Sequence, residues 1–183
     1  MGGAQSSGCM QNLEQQGEGF SDWFGLMLTM RESDSPSIPR GVATYSSGQE
    51  ITGEGLRNAP YSPDFSVNDY TYADSNNTAT VSQPHGVGFV FATMLWDLTW
   101  AFVDEYGFDP DITNGNGGNN KVMQLIIDAL KVAPCSSGFV DMRDAIILAD
   151  QLTNNGVNKC LIWSVFANRG LGYSAEQGDE DSR

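Results

Sequence analysis

The chain has 183 residues, 40% of them hydrophobic and 10% aromatic, which suits one domain with a real core and excludes an intrinsically disordered protein. Its 23 acidic side chains against 9 basic give a formal charge of −14, so nucleic acid and an anionic membrane would be repelled and neither is expected as a partner. No stretch approaches 18 consecutive apolar residues, and the Gly/Ser/Gln-rich start lacks the basic-then-apolar order of a leader, so no membrane span and no signal peptide are expected.

The first element is predicted over residues 13–31, where Phe20, Trp23, Phe24, Met27, Leu28 and Met30 recur at spacings of three and four, giving a helix with a wide apolar face. From 33 to 83 the character changes to Ser, Pro, Gly, Asn and Tyr. Pro36, Pro39, Pro60 and Pro63 break any regular element there. A structureless run of that length is unusual inside a domain, and Tyr45, Tyr61, Phe65, Tyr70 and Tyr72 argue that it packs rather than wanders.

Residues 86–106 read as the buried central helix, carrying Val87, Val90, Phe91, Met94, Leu95, Leu98 and Phe102 and ended by Gly107. Three more helices are predicted over 120–132, 139–152 and 159–168, with short connections that make neighbours antiparallel. The tail after Tyr173 is polar and expected to fray. Of the three cysteines, Cys135 and Cys160 could close one bridge across two helices and leave Cys9 over. Alternatively all three are small buried side chains.

Glu18 and Asp22 stand four apart, so on a helix their carboxylates share one face beside Phe20, Trp23 and Phe24. Like charges at that spacing repel, and a cation or donor is expected between them. His85 is the only imidazole and stands before the central helix; Arg57 lies 28 positions earlier in Gly55-Leu56-Arg57-Asn58. Asp104, Glu105, Asp109, Asp111, Asn114, Asn116 and Asn119 gather hard oxygen atoms among glycines, which suits Ca2+, although the EF-hand spacing is missing and such loops also cap their own turns. Asn76-Asn77-Thr78 matches a glycosylation sequon.

Gly17-Glu18-Gly19-Phe20-Ser21-Asp22 resembles the Gly-Glu-Gly-Trp-Ser-Asp signature of the fungalysin family, secreted zinc metallopeptidases with a thermolysin-like catalytic domain. The resemblance continues through Pro84-His85-Gly86-Val87-Gly88, Ala92-Thr93-Met94-Leu95-Trp96, Gly117-Gly118-Asn119-Asn120-Lys121 and Ala133-Pro134-Cys135. It runs on through Arg143-Asp144-Ala145-Ile146 to Phe166-Ala167-Asn168-Arg169-Gly170-Leu171-Gly172, so nearly the whole chain is covered. It implies a mainly α fold, the helical C-terminal lobe of a thermolysin-like domain over 1–173 with 33–83 as a long irregular insertion, then a polar tail over 174–183.

It also implies roles. Glu18 would be a zinc ligand and Asp22 would support a zinc-bound histidine from behind. His85 would stabilise the oxyanion, and Arg57 would hold the substrate carbonyl while steadying the region of Glu18. Two departures stand out. Thr80, Val81, Ser82 and Gln83 occupy the stretch where relatives carry an aspartate that orients the histidine, leaving Asp74 as the nearest carboxylate. The His-Glu-x-x-His motif, with two ligands and the general base, is absent, and its expected place lies before Met1.

The expectation is therefore part of a secreted zinc-dependent endopeptidase, acting on proteins or peptides, that needs an N-terminal lobe carrying His-Glu-x-x-His as its partner and is inactive by itself. The rival is a non-catalytic helical binding module, either a degenerate relative of such a lobe that has lost the metal site or a partner domain steadied by calcium. An enzyme half should leave an apolar surface open beside Glu18 and Asp22; a module should have closed it.

Overall fold

The computed structural model describes residue 9 and residues 12–178, and it is built from helices, with no strand among the described residues. In chain order come α1 (Gly17–Leu28), a short 3-10 helix (Tyr72–Asn76), α2 (His85–Tyr106), α3 (Gly118–Val132), α4 (Phe139–Asn154) and α5 (Lys159–Asn168). The mainly α expectation holds, and four of the five predicted helices begin within two residues of the expected position.

α2 is the axis. Every residue from Gly86 to Trp100, and Phe102, is buried. It is apolar all round rather than on one stripe because it is covered from several sides, by α1, α3, α5 and the 3-10 helix. By length and composition it could cross a membrane, yet the cover it receives from its own chain makes it the core helix of this domain. Phe91 links three elements, meeting Phe20 of α1, Phe139 of α4 and Phe166 of α5 with ring centroids 5.6, 4.9 and 6.4 Å apart. Each such buried aromatic contributes on the order of 1.5–3 kcal/mol. Trp23 Nε1 donates to Thr99 Oγ1 at 2.9 Å, so the indole's polar atom is satisfied where α1 meets α2.

α1 is shorter than the predicted 13–31. Residues 12–16 make a turn whose side chains bind elsewhere: Asn12 and Gln16 donate to the carbonyls of Ser136 and Ser137, and Glu14 accepts from Phe139 N. Polar groups committed to another segment cannot also lie along a helix. The insertion packs as expected at Tyr61, Tyr70 and Tyr72, but Tyr45 is almost fully exposed and the expectation fails there.

Three arginines pin the irregular chain. Arg169, fully buried, donates to Asp97 on α2 and to the carbonyls of Ser62, Asn68 and Tyr70. Arg40 bridges Asp34 and Thr29, and its backbone pairs with that of Tyr61. Arg143 donates to the carbonyls of Leu171 and Gly172.

The cysteines pair differently from the expectation. Cys9 bonds to Cys135, with Cα atoms 4.7 Å apart, and Cys160 is a free, exposed thiol. The lead and the turn before α4 are already held side by side by the hydrogen bonds of Asn12 and Gln16, whereas Cys160 opens α5 facing solvent. The tail is also fixed as far as residue 178, because Gln177 accepts from Asp141 N and donates to Asp141 Oδ2 at the start of α4.

Candidate active site

The helix crossing that builds the site comes from two glycines. Gly19 of α1 lies against Gly88 of α2 so closely that a Cβ on Gly19 would sit 2.2 Å from the Gly88 carbonyl oxygen. That contact brings the first turn of α1, with Glu18, against the first turn of α2, with His85. His85 Nδ1–H donates to Glu18 Oε2 at 2.8 Å, with both side chains open to solvent (59% and 38% exposed).

Asp22, one turn further along α1, is 5% exposed. Arg57 reaches it from the insertion with a two-pronged contact, Nε to Oδ2 at 2.6 Å and Nη2 to Oδ1 at 2.8 Å, and the same Nη2 stands 3.6 Å from Glu18 Oε2. The cation expected between the two carboxylates is thus Arg57, and this geometry is the strong form of the arginine–carboxylate bond. The bond to Asp22 holds the guanidinium's pKa above its ordinary value. Four residues spread over positions 18 to 85 therefore meet in one cluster.

A fifth member was not foreseen. Tyr61, fully buried, donates its hydroxyl to Asp22 Oδ2 at 2.6 Å. Burial, and then the adjacent Asp22 charge, push its pKa well above the ordinary phenol value. Its only sequence signal was an aromatic residue four positions after Arg57.

Asp74, the nearest carboxylate upstream of His85, accepts from Thr71 N and Oγ1 at the start of the 3-10 helix, so it caps that turn and is committed there. The oxygen-rich loop is likewise occupied by its own backbone. Asp109 accepts from the amides of Asp111 and Asn116, and Asp111 accepts from those of Thr113 and Asn114. Those bonds from Asn114 and Thr113 hold the Asp111 carboxyl below the usual range.

Among the described residues no group of three His, Cys, Asp or Glu side chains could hold a metal ion. Glu18 offers one accessible oxygen ligand of the kind a zinc site uses, and a catalytic zinc needs three protein ligands. The described residues fit one position of such a site and do not complete it.

Residues 1–175 match the family profile of the fungalysin metallopeptidases. The chain belongs to the fungalysin metallopeptidase family. It is 36% identical to extracellular metalloproteinase 2 of Trichophyton tonsurans over 97% of its length, and 36% identical to extracellular metalloproteinase 3 of Arthroderma otae over 96%. It spans 28% of the length of each of these relatives.

Proposed function

We propose that this fungalysin chain is the part of a secreted, zinc-dependent endopeptidase that supplies one carboxylate ligand and the groups that hold the substrate. The observation that carries the proposal is the convergence of Glu18, Asp22, Arg57 and His85 where α1 and α2 cross. The chemistry a bound zinc supplies is polarisation of the peptide carbonyl and acidification of a water. The remaining two ligands and the general base belong to a His-Glu-x-x-His segment outside this chain.

Within the chain, Arg57 spends its Nε–H and one Nη2–H on Asp22, which leaves Nη1 and the second Nη2–H for a substrate carbonyl. His85, the most exposed member, keeps Nδ1–H on Glu18 and, as the imidazolium, donates Nε2–H to developing negative charge on that carbonyl oxygen, a contribution worth roughly 10²–10³ in rate for donors of this type. The apolar surface beside the site supports an enzyme half over a closed module. Leu28, Tyr45 and Leu56 are exposed, and a cavity of about 400 Å³ lined by Asp22, Leu26, Val42 and Ile51 opens along α1. Secretion is supported by the extracellular names of the relatives.

The test is a chimera in which this chain replaces the corresponding region of extracellular metalloproteinase 2 of Trichophyton tonsurans, assayed on casein with and without a zinc chelator. The chimera is expected to hydrolyse casein, Glu18→Ala to abolish turnover, and His85→Ala to lower kcat about 10²-fold. This chain alone is expected to be inactive. Full activity in the Glu18→Ala chimera, or zinc-dependent turnover by the chain alone, would overturn the reading.

A further inference from the structure

We propose that Tyr61 is a positioning residue for Arg57, acting through Asp22; the inference rests on the role given above to Arg57. The phenol is fixed from every direction but one. Its backbone pairs with Arg40 in both directions, Arg40 N to Tyr61 O at 3.0 Å and Tyr61 N to Arg40 O at 2.8 Å. Its ring lies against Phe89 of α2, centroids 5.3 Å apart, and the side chain has no solvent exposure. The next residue, Ser62, is held by Arg169, and Asn68 ties the same stretch to α2 through Pro60 O and Thr93 Oγ1. The hydroxyl therefore arrives at one place, and its hydrogen-bond partner there is Asp22 Oδ2.

Packing alone does not call for that hydroxyl, because a phenylalanine would fill the same space without a polar atom to satisfy in the core. What the hydroxyl adds is direction. Tyr61 and Arg57 Nε converge on the same oxygen, each at 2.6 Å, so the carboxylate cannot rotate about its χ2 without losing one of them. With the plane of Asp22 fixed, Oδ1 faces Arg57 Nη2, and both prongs of the guanidinium are held. A guanidinium held at two points keeps its remaining N–H groups aimed at one spot, which is what a carbonyl-binding arginine requires. Without the hydroxyl, the only bonds that fix Asp22 are the two from Arg57 itself, and the pair is free to rock together.

The experiment compares Tyr61→Phe with Asn68→Ala in this chain. The second variant loosens the same stretch but touches neither Asp22 nor Arg57. The readout is the side-chain Nε–H resonance of Arg57 by nitrogen-15 NMR and its rate of exchange with water, alongside thermal melting. Tyr61→Phe is expected to speed exchange of the Arg57 Nε–H at least tenfold, while Asn68→Ala lowers the melting temperature and leaves that resonance in place.

Equal effects of the two variants on Arg57, or a Tyr61→Phe protein that melts earlier with the Arg57 signal unchanged, would make the hydroxyl merely structural and overturn the proposal. In the chimera, Tyr61→Phe is expected to raise KM more than it lowers kcat. Should the unsubstituted chimera hydrolyse nothing, the reading of function falls, and the Arg57 resonance still decides whether Tyr61 holds the pair.

Discussion

Asp22 accepts three hydrogen bonds in a pocket with almost no access to water, and its neighbours carry the electrostatic signature of that burial. Tyr61 is raised well above the ordinary phenol pKa by burial and by Asp22, and Tyr72 is raised by burial and by its bond to Glu14. An acid whose folded pKa exceeds its unfolded value keeps its proton longer in the folded state. Stability from such a group is intact below about pH 10 and is lost as pH climbs toward the folded value. Alkaline titration followed by ultraviolet absorbance should therefore leave Tyr61 and Tyr72 neutral until the fold is lost. Tyr61→Phe should cost about 1 kcal/mol at neutral pH and make stability fall less steeply in alkali. Alkaline unfolding with unchanged steepness in that variant would contradict the assignment of the proton to Tyr61.

At the scale of elements, the site depends on how closely α1 and α2 approach. A methyl group on Gly88 would meet the Gly19 amide nitrogen at 2.5 Å, backbone against side chain, so neither partner can yield by rotating a bond. Gly88→Ala is expected to push the helices apart at a cost of about 1–3 kcal/mol, by urea unfolding, and to break the His85 to Glu18 contact. The check is the imidazole's NMR signal: in the intact chain it should respond to Glu18→Gln, and in the Gly88→Ala background it should not. Both glycines stood in recognisable motifs, so the crossing was legible as a pattern, while the reason for it became visible only in the backbone geometry.

The same contrast runs along the rest of the chain. Helices read from a run of apolar residues fell where expected, because the burial of α2 leaves its sequence little choice. The lead before α1 was misread because Leu13 continues the apolar spacing, whereas the flanking Asn12, Glu14 and Gln16 spend their polar groups on residues 136–139. Tyr61 is legible in the sequence as a packing aromatic, but its place in the site is not, because the partner of its hydroxyl lies 39 positions away.

The whole molecule is held by few devices, and they share a logic. An acidic chain with nine cationic side chains buries three of its arginines almost completely, Arg40, Arg143 and Arg169, and partly buries Arg57, and each ties distant stretches or loop backbone to a helix or a neighbouring loop. The ends are tied together as well. Glu14 accepts from Phe139 N, from the Tyr72 hydroxyl and from Gly178 N, so lead, insertion, α4 and tail meet at one carboxylate.

The disulfide closes that junction covalently, joining residues 126 positions apart. A cross-link over so long a loop removes unfolded-state entropy worth about 5 kcal/mol in the chain-entropy model, and native bridges typically deliver about 2–4. Because the lead runs directly into Gly17 and Glu18, its release should loosen the first turn of α1 before the core, which α2 holds independently. Reduction, or Cys135→Ser, is expected to lower the melting temperature and to speed amide exchange at residues 17–20 while α2 stays protected. Thiol titration should find one reactive cysteine in the native protein, Cys160, and three after reduction in denaturant. A native protein with three titratable thiols, or exchange that rises equally in α1 and α2, would show that the lead is not fastened by this bridge.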